Sequence, residues 1–206
     1  LESYRRQLEQ ENAELGDSLR DASQAANRDP LTGLFNRRYL SSVVRPLAKR
    51  VLEEQEAVTI GVVDIDHFKR VNDTHGHLVG DQVLRSVAQL LSVRLRDHDG
   101  LVRFGGEEFV VVLRRCDMRR GRRVAEALRH NVASAEIETD AGLVPITVSI
   151  GVAQWAPGED LDEVIQRADR TLYAAKQAGR DRVEVDGGDA LNPGYPSGGD
   201  STLPST

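Results

Sequence analysis

The sequence predicts an α/β sandwich: a central mixed β-sheet flanked by helices and preceded by a coiled-coil helix. Three observations carry that prediction. Ala57–Ile65 and Pro145–Ala153 are almost wholly apolar and rich in β-branched residues, as strands buried on both faces are. Segments with helical apolar spacing alternate with these runs, the order expected of layered α/β domains. Gly105-Gly106 divides two short apolar segments, Leu101–Phe104 and Phe109–Leu113, which marks one hairpin in the middle of the chain.

Taken in order, residues 1–28 are polar, with Leu1, Leu8, Leu15 and Ala22 spaced by seven. Placing these at heptad position d puts Arg5, Asn12, Leu19 and Ala26 at a, a short coiled-coil pattern in which Asn12 would fix register and two-strandedness. Arg5 is a defect in that pattern, and an amphipathic helix packed on its own domain is the alternative. Asp29-Pro30 ends the helix, because the residue before proline avoids the α region. Residues 29–186 form the globular part. After the Ala57–Ile65 strand, Val83, Val87, Leu90 and Leu91 define an amphipathic helix over 81–95. The hairpin follows, then a helix over Val124–Ala135, then the Pro145–Ala153 strand. Leu161, Val164, Ile165, Ala168 and Leu172 define a last helix that stops near Gly179. Arg182–Val185 reads as a final strand. Residues 187–206, rich in Gly, Pro and Ser, are expected to be a disordered tail.

Composition narrows the function. The 206 residues are 39% hydrophobic and 29% charged, with a net charge of −6, so a polyanion would be repelled overall. The densest basic run, Arg114 to Arg123, has no interleaved aromatics and reads as a solvated helix face rather than a nucleic-acid site. No apolar run is long enough to span a membrane. A single Cys116 allows no internal disulfide. The chain begins with Leu rather than Met and shows no signal peptide, and we expect a cytoplasmic fragment whose parent protein is attached to a membrane, if at all, through a preceding region.

Chemistry concentrates in three places. Asp64 and Asp66 follow the Thr59–Val63 run directly. A carboxylate at the end of a buried strand needs a cation, backbone donors or a basic partner. Asp66 precedes a helical pattern and is read as its N-cap; Asp64 lacks that role. Glu107 and Glu108 follow the glycine pair, and adjacent strand residues face opposite ways. If the hairpin lies beside the Asp64 strand, Asp64 and a hairpin glutamate converge. Oxygen ligands completed by phosphate suit magnesium, and the five histidines have no cysteine partners for a zinc site. Between these blocks, the passage from strand end to helix start at residues 65–69 offers backbone amides to an anion, with Lys69 as a point charge. Asn72 and Asp81 offer the donors and acceptors that read guanine, unless they are simply helix-surface polarity. No P-loop run is present.

Four blocks in this order resemble GGDEF domains, the diguanylate cyclases of bacterial signalling: Asp29-Pro30-Leu31-Thr32-Gly33-Leu34-Phe35-Asn36-Arg37-Arg38, Asp64-Ile65-Asp66-His67-Phe68-Lys69-Arg70-Val71-Asn72-Asp73, Gly76-His77-Leu78-Val79-Gly80-Asp81 and Arg103-Phe104-Gly105-Gly106-Glu107-Glu108-Phe109. The resemblance runs from about Asp29 to Val185. It implies a nucleotidyl-cyclase, palm-like fold and a homodimer that condenses two GTP into cyclic di-GMP. Asp64, the Ile65 carbonyl, Glu107 and Glu108 would hold Mg2+ (or Mn2+). Asp64, Glu107 and Glu108 would carry catalysis, with Glu108 either binding metal or activating the ribose hydroxyl. Phe68, Lys69, Asn72, His77, Asp81, Gly106, Lys176 and Arg180 would bind substrate, the last two through the terminal phosphates. Lys176 and Arg180 are four residues apart on the last helix and share a face.

Two departures are mild. Glu107 replaces the Asp of the family name, and His67 stands where many members have Phe. Arg96 and Asp99 match the family's inhibitory product site, with a charged loop as the plain alternative. The second arginine of that site is replaced by Ala127, with Arg123 and Arg129 close along the helix. A non-catalytic cyclic di-GMP receptor and a cyclase with another product are the rival functions. The intact Asp64, Gly105, Gly106, Glu107 and Glu108 argue against the receptor, and Asp81 favours GTP.

Overall fold

The computed structural model describes residues 26–187. The proposed coiled coil and the tail therefore lie outside the described residues, apart from their innermost ends. A six-stranded sheet forms the centre. Its strands are β1 (Phe35–Asn36), β2 (Val58–Ile65), β3 (Gly100–Gly105), β4 (Glu108–Arg114), β7 (Val148–Gln154) and β8 (Val183–Val185). They lie in the order β1-β3-β4-β2-β7-β8. β1 and β8 pair in parallel with β3 and β7, and the inner pairs are antiparallel, so the sheet is mixed as predicted. All eight residues of β2 are buried, which explains its unbroken apolar run. A small separate hairpin, β5 (Ile137–Thr139) and β6 (Gly142–Val144), completes the strands.

The period of two along β2 assigns its faces. Val63 and Ile65 join a core with Phe68, Val83, Val87 and Leu128. These come from α3 (Phe68–His75), α4 (His77–Ser92) and α5 (Met118–Ala133). Val58, Ile60 and Val62 join the opposite core with Leu40, Ala48, Trp155 and Leu172. That face is covered by α1 (Arg37–Tyr39), a π-helical turn (Leu40–Val44), α2 (Arg45–Glu53) and α6 (Leu161–Gln177). Helix α6 lies almost flush on the sheet at Gly151. A methyl group there would stand 2.1 Å from the Ala168 carbonyl oxygen and 2.2 Å from the Leu172 amide nitrogen.

Several boundaries differ from the sequence reading. The helix predicted over 124–135 begins at Met118, because the Asp117 carboxylate caps it by accepting the Arg120 amide at 2.8 Å. Arg119, Arg120, Arg122 and Arg123 consequently sit exposed on its first turns, the solvated face expected of them. The predicted 81–95 helix starts at His77, and the Pro145–Ala153 strand starts at Val148. The α1–α2 segment and the β5–β6 hairpin had no sequence assignment. Among the described residues, no helix is long and apolar enough to cross a membrane.

Candidate active site

Register decides which carboxylates meet. Asp64 is paired with Glu108 on β4 and with Ser149 on β7. Asp64 follows Ile60 and Val62 on the α6 face, and Glu108 precedes Val110 and Val112 on the same face. Two acids are thus neighbours across adjacent strands, a repulsive arrangement unless a cation intervenes. Asp64 is only 6% exposed, and burial, with Glu107 and Asp66 nearby, pushes its carboxyl up from the ordinary value against the opposing pull of Lys176. Burial likewise raises Glu108, reinforced by the Asp64 and Asp169 charges. Among the described residues, Asp64 has a basic partner in Lys176, whose Nζ lies 2.8 Å from Asp64 Oδ2. Glu108 also borders a cleft of about 540 Å3 lined by Arg37, Phe104 and Asp169.

The turn between β3 and β4 is anchored from a distance. Gly106 adopts φ +47°, which suits glycine, and its carbonyl accepts from Arg103 Nε (3.1 Å) and Nη2 (2.8 Å). Arg103 Nη1 also donates to both Asp29 carboxylate oxygens, at 3.0 and 3.1 Å. Asp29 in turn accepts the Thr32 amide and hydroxyl. These bonds hold its carboxyl below the ordinary value, against the opposing effect of burial. Asn36 fastens the preceding backbone through the Ala26 and Arg28 carbonyls. The first and last sequence blocks therefore form one unit in which Asp29, Arg103 and Gly106 are linked. An Arg103→Met substitution is expected to cost about 2 kcal/mol, the loss of charge-assisted bonds at a mostly buried pair. A denaturant titration measures it, and an unchanged midpoint would show that the linkage contributes nothing.

The Asp66 assignment is corrected. His67, with φ 58°, is the N-cap of α3, and no side chain caps that helix. Asp66 instead accepts from the Thr147 and Ser149 hydroxyls, each at 2.7 Å, and from the Asp181 amide at 3.0 Å. The uncapped start of α3 leaves amide donors at the end of β2, beside Phe68, which is buried, and Lys69, which is exposed. Asn72 on α3 packs against α4 at Gly80, where a methyl would lie 1.9 Å from Asn72 Oδ1. This close approach places Asn72 against the residue preceding Asp81. His77 is exposed at the first position of α4. The shared helix face expected of Lys176 and Arg180 is corrected: α6 ends at Gln177, and Arg180, with φ +64°, lies on the turn beyond it because Gly179 breaks the helix first.

Arg96 and Asp99 close a turn of their own: the Asp99 amide donates to the Arg96 carbonyl (2.9 Å), and the Arg96 amide to the Asp99 carboxylate (3.1 Å). Arg129 is not free to assist them, since it is bound to Glu126 and Asp181. Arg123 remains exposed on α5.

The donors around Asp64 fit a hard divalent cation in kind. Asp64 and Glu108 offer carboxylate oxygens whose mutual repulsion such an ion would relieve. Among the described residues no three acidic, histidine or cysteine side chains gather as a preformed metal centre, so nucleotide phosphates would have to complete the shell.

The family profile described as diguanylate cyclase, GGDEF domain, matches residues 26–182. The chain belongs to the GGDEF family. It is 43% identical over 178 residues to diguanylate cyclase DgcP of Pseudomonas aeruginosa, covering 86% of this chain and 26% of that protein. It is 38% identical over 172 residues to the response regulator PleD of Caulobacter vibrioides, covering 82% and 38%. Among solved structures, the coiled coil and GGDEF domain of DgcB from Caulobacter crescentus, in complex with c-di-GMP, superposes with a TM-score of 0.81 at 34% identity. That match covers 90% of this chain and 98% of the DgcB chain. The active GGEEF domain of a diguanylate cyclase from Vibrio cholerae matches with a TM-score of 0.68 at 32% identity, covering 73% and 96%. The chain spans only about a quarter to two-fifths of the curated relatives named here, and the GGDEF fold predicted from sequence is the one found.

Proposed function

We propose that this GGDEF chain condenses two GTP into cyclic di-GMP and two pyrophosphates as a homodimer. The observation that carries this reading is the cross-strand pair Asp64–Glu108 facing Lys176. Each domain binds one GTP. The 3′-hydroxyl oxygen of one nucleotide attacks the α-phosphorus of the other, the bond to pyrophosphate breaks, and the hydroxyl proton leaves. The reciprocal attack closes the ring. Glu108, with its carboxyl raised by burial and by Asp64, is the residue suited to take that proton. Asp64, the Ile65 carbonyl, Glu107 and Glu108 would hold Mg2+ or Mn2+, which when bound polarises the α-phosphate and neutralises charge on the leaving group. The α3 start with Phe68 and Lys69 receives phosphate oxygens, as do Lys176 and Arg180. Asn72 and Asp81 read the guanine, with His77 and Gly106 bordering the nucleotide.

One domain supplies one nucleotide and one Glu108, so turnover requires two domains face to face, and residues 1–28 serve as the dimerising helix. Incubation of the purified chain, stripped of bound nucleotide, with GTP and Mg2+ tests this. Cyclic di-GMP and pyrophosphate, identified by chromatography and mass, are expected. A chain that dimerises yet only binds cyclic di-GMP would establish a receptor instead.

Arg96 and Asp99 form the proposed product site, in which the guanidinium clamps phosphate or guanine and the carboxylate accepts from the guanine edge. Arg96→Ala is expected to weaken inhibition by added cyclic di-GMP about tenfold or more, read from initial rates at graded product concentrations. Unaltered inhibition would remove the site from consideration.

A further inference from the structure

The turn that carries Arg180 is held in an unusual backbone. Gly179, Arg180 and Asp181 have φ of +114°, +64° and +44°. Two consecutive residues bearing a Cβ in the left-handed region are disfavoured and persist only where neighbours over-determine them. The neighbours here are specific. The Arg180 amide donates to the Ala175 carbonyl (3.1 Å), ending α6, and the Arg182 carbonyl accepts the Ile150 amide (2.9 Å). Between these points Asp181 is gripped twice. Its amide donates to Asp66 Oδ2 (3.0 Å) and its carboxylate accepts from Arg129 Nη1 (2.7 Å).

Neither gripping residue has another evident task. Asp66 is 4% exposed, and its two oxygens are taken by Ser149, Thr147 and Asp181. Arg129 stands on α5 with its Nε on Glu126 Oε2 at 3.0 Å. A single-point contact would let the turn relax toward ordinary φ values and swing the Arg180 side chain away. Two charge-assisted contacts, one to the amide and one to the carboxylate of the same residue, fix it.

We propose that Asp66 and Arg129 are positioning residues that clamp Asp181 and thereby aim Arg180 at the terminal phosphate of the bound nucleoside triphosphate. The inference rests on the reading above that Arg180 grips phosphate, and the test separates the two. The full chain is titrated calorimetrically, with Mg2+, against α,β-methylene GTP, which keeps the terminal phosphate, and against GDP, which lacks it. Arg180→Ala is expected to weaken the triphosphate analogue about tenfold and leave GDP unchanged. Arg129→Met, which leaves the Arg180 side chain itself intact, is expected to do the same, as is Asp66→Asn if it folds. Arg129→Lys, which can still reach Asp181, should restore much of the loss. The double variant Arg129→Met/Arg180→Ala should bind no more weakly than Arg180→Ala alone, since both act through one guanidinium. If Arg180→Ala leaves the preference for triphosphate intact, the phosphate reading of Arg180 fails and the clamp's purpose fails with it. If Arg180→Ala behaves as expected but Arg129→Met weakens both ligands equally, weakens neither, or adds its loss to that of Arg180→Ala, the clamp alone is overturned.

Discussion

Glu108→Gln is expected to lower product formation by about 10^3-fold while GTP still binds. The amide keeps the size and one acceptor of the carboxylate but cannot take the 3′-hydroxyl proton, and loss of a positioned base costs on the order of 10^2–10^4 in rate. It would also remove one of the two carboxylates proposed to join Asp64 at the metal. Single-turnover product formation, with nucleotide affinity measured separately by calorimetry, distinguishes the two. A variant that retains a tenth of native turnover would exclude Glu108 from the chemical step. The same substitution should stabilise the apo fold. Glu108 is held above its ordinary carboxyl value by burial and by the Asp64 charge, so the ionised form is disfavoured in the folded state. The sign follows: a raised acid contributes least to stability above its folded-state value, and the neutral amide removes that liability at neutral pH. The melting temperature is therefore expected to rise, by up to about 3 °C for a domain of this size. A fall in melting temperature would mean that the Glu108 charge is compensated.

Removing residues 1–25 is expected to turn a concentration-independent specific activity into a strongly concentration-dependent one. The cut spares the Ala26 and Arg28 carbonyls that Asn36 binds, so the domain keeps its anchored beginning. If the heptads at Leu1, Leu8, Leu15 and Ala22 join two chains, each domain sees its partner at an effective concentration in the millimolar range. At micromolar protein the shortened chain should lose about 10^2-fold or more in specific activity and recover it as protein is added. Rates measured across a range of enzyme concentrations, with sedimentation in parallel, provide the test. Equal specific activity of both chains at every concentration would dispose of the dimerising role.

The candidate site was legible in part, for reasons that particular residues make plain. The unbroken apolar, β-branched run over Ala57–Ile65 identified a buried central strand with a carboxylate near its end. The glycine pair identified the hairpin, because only a few residue types make so tight a turn. The i,i+4 spacing of Lys176 and Arg180 suggested one helix face, but α6 ends at Gln177 and Arg180 sits on the left-handed turn beyond it. The start of α5 was missed because its first turns are arginines and a glycine, with little apolar periodicity, and the Asp117 cap is a single residue. The β5–β6 hairpin was missed because three-residue strands carry too little pattern. Asp66 was misread because an acid before a helical segment usually is a cap, and its actual partners lie far along the chain.

By itself, then, the sequence determined the faces of the elements, the order of the blocks and the oxygen-rich chemistry near Asp64. Local periodicity and turn chemistry act over a few residues and leave their mark in composition. Tertiary structure alone decided that Glu108 rather than Glu107 is paired with Asp64 across the strands. It also decided that Arg103 bridges Asp29 to the Gly106 carbonyl and that Asp66 and Arg129 grip the turn beside Arg180. Strand register and ion-pair partners are settled by where whole layers come to rest, and residues 74 or 115 positions apart leave no periodic trace of each other in one sequence.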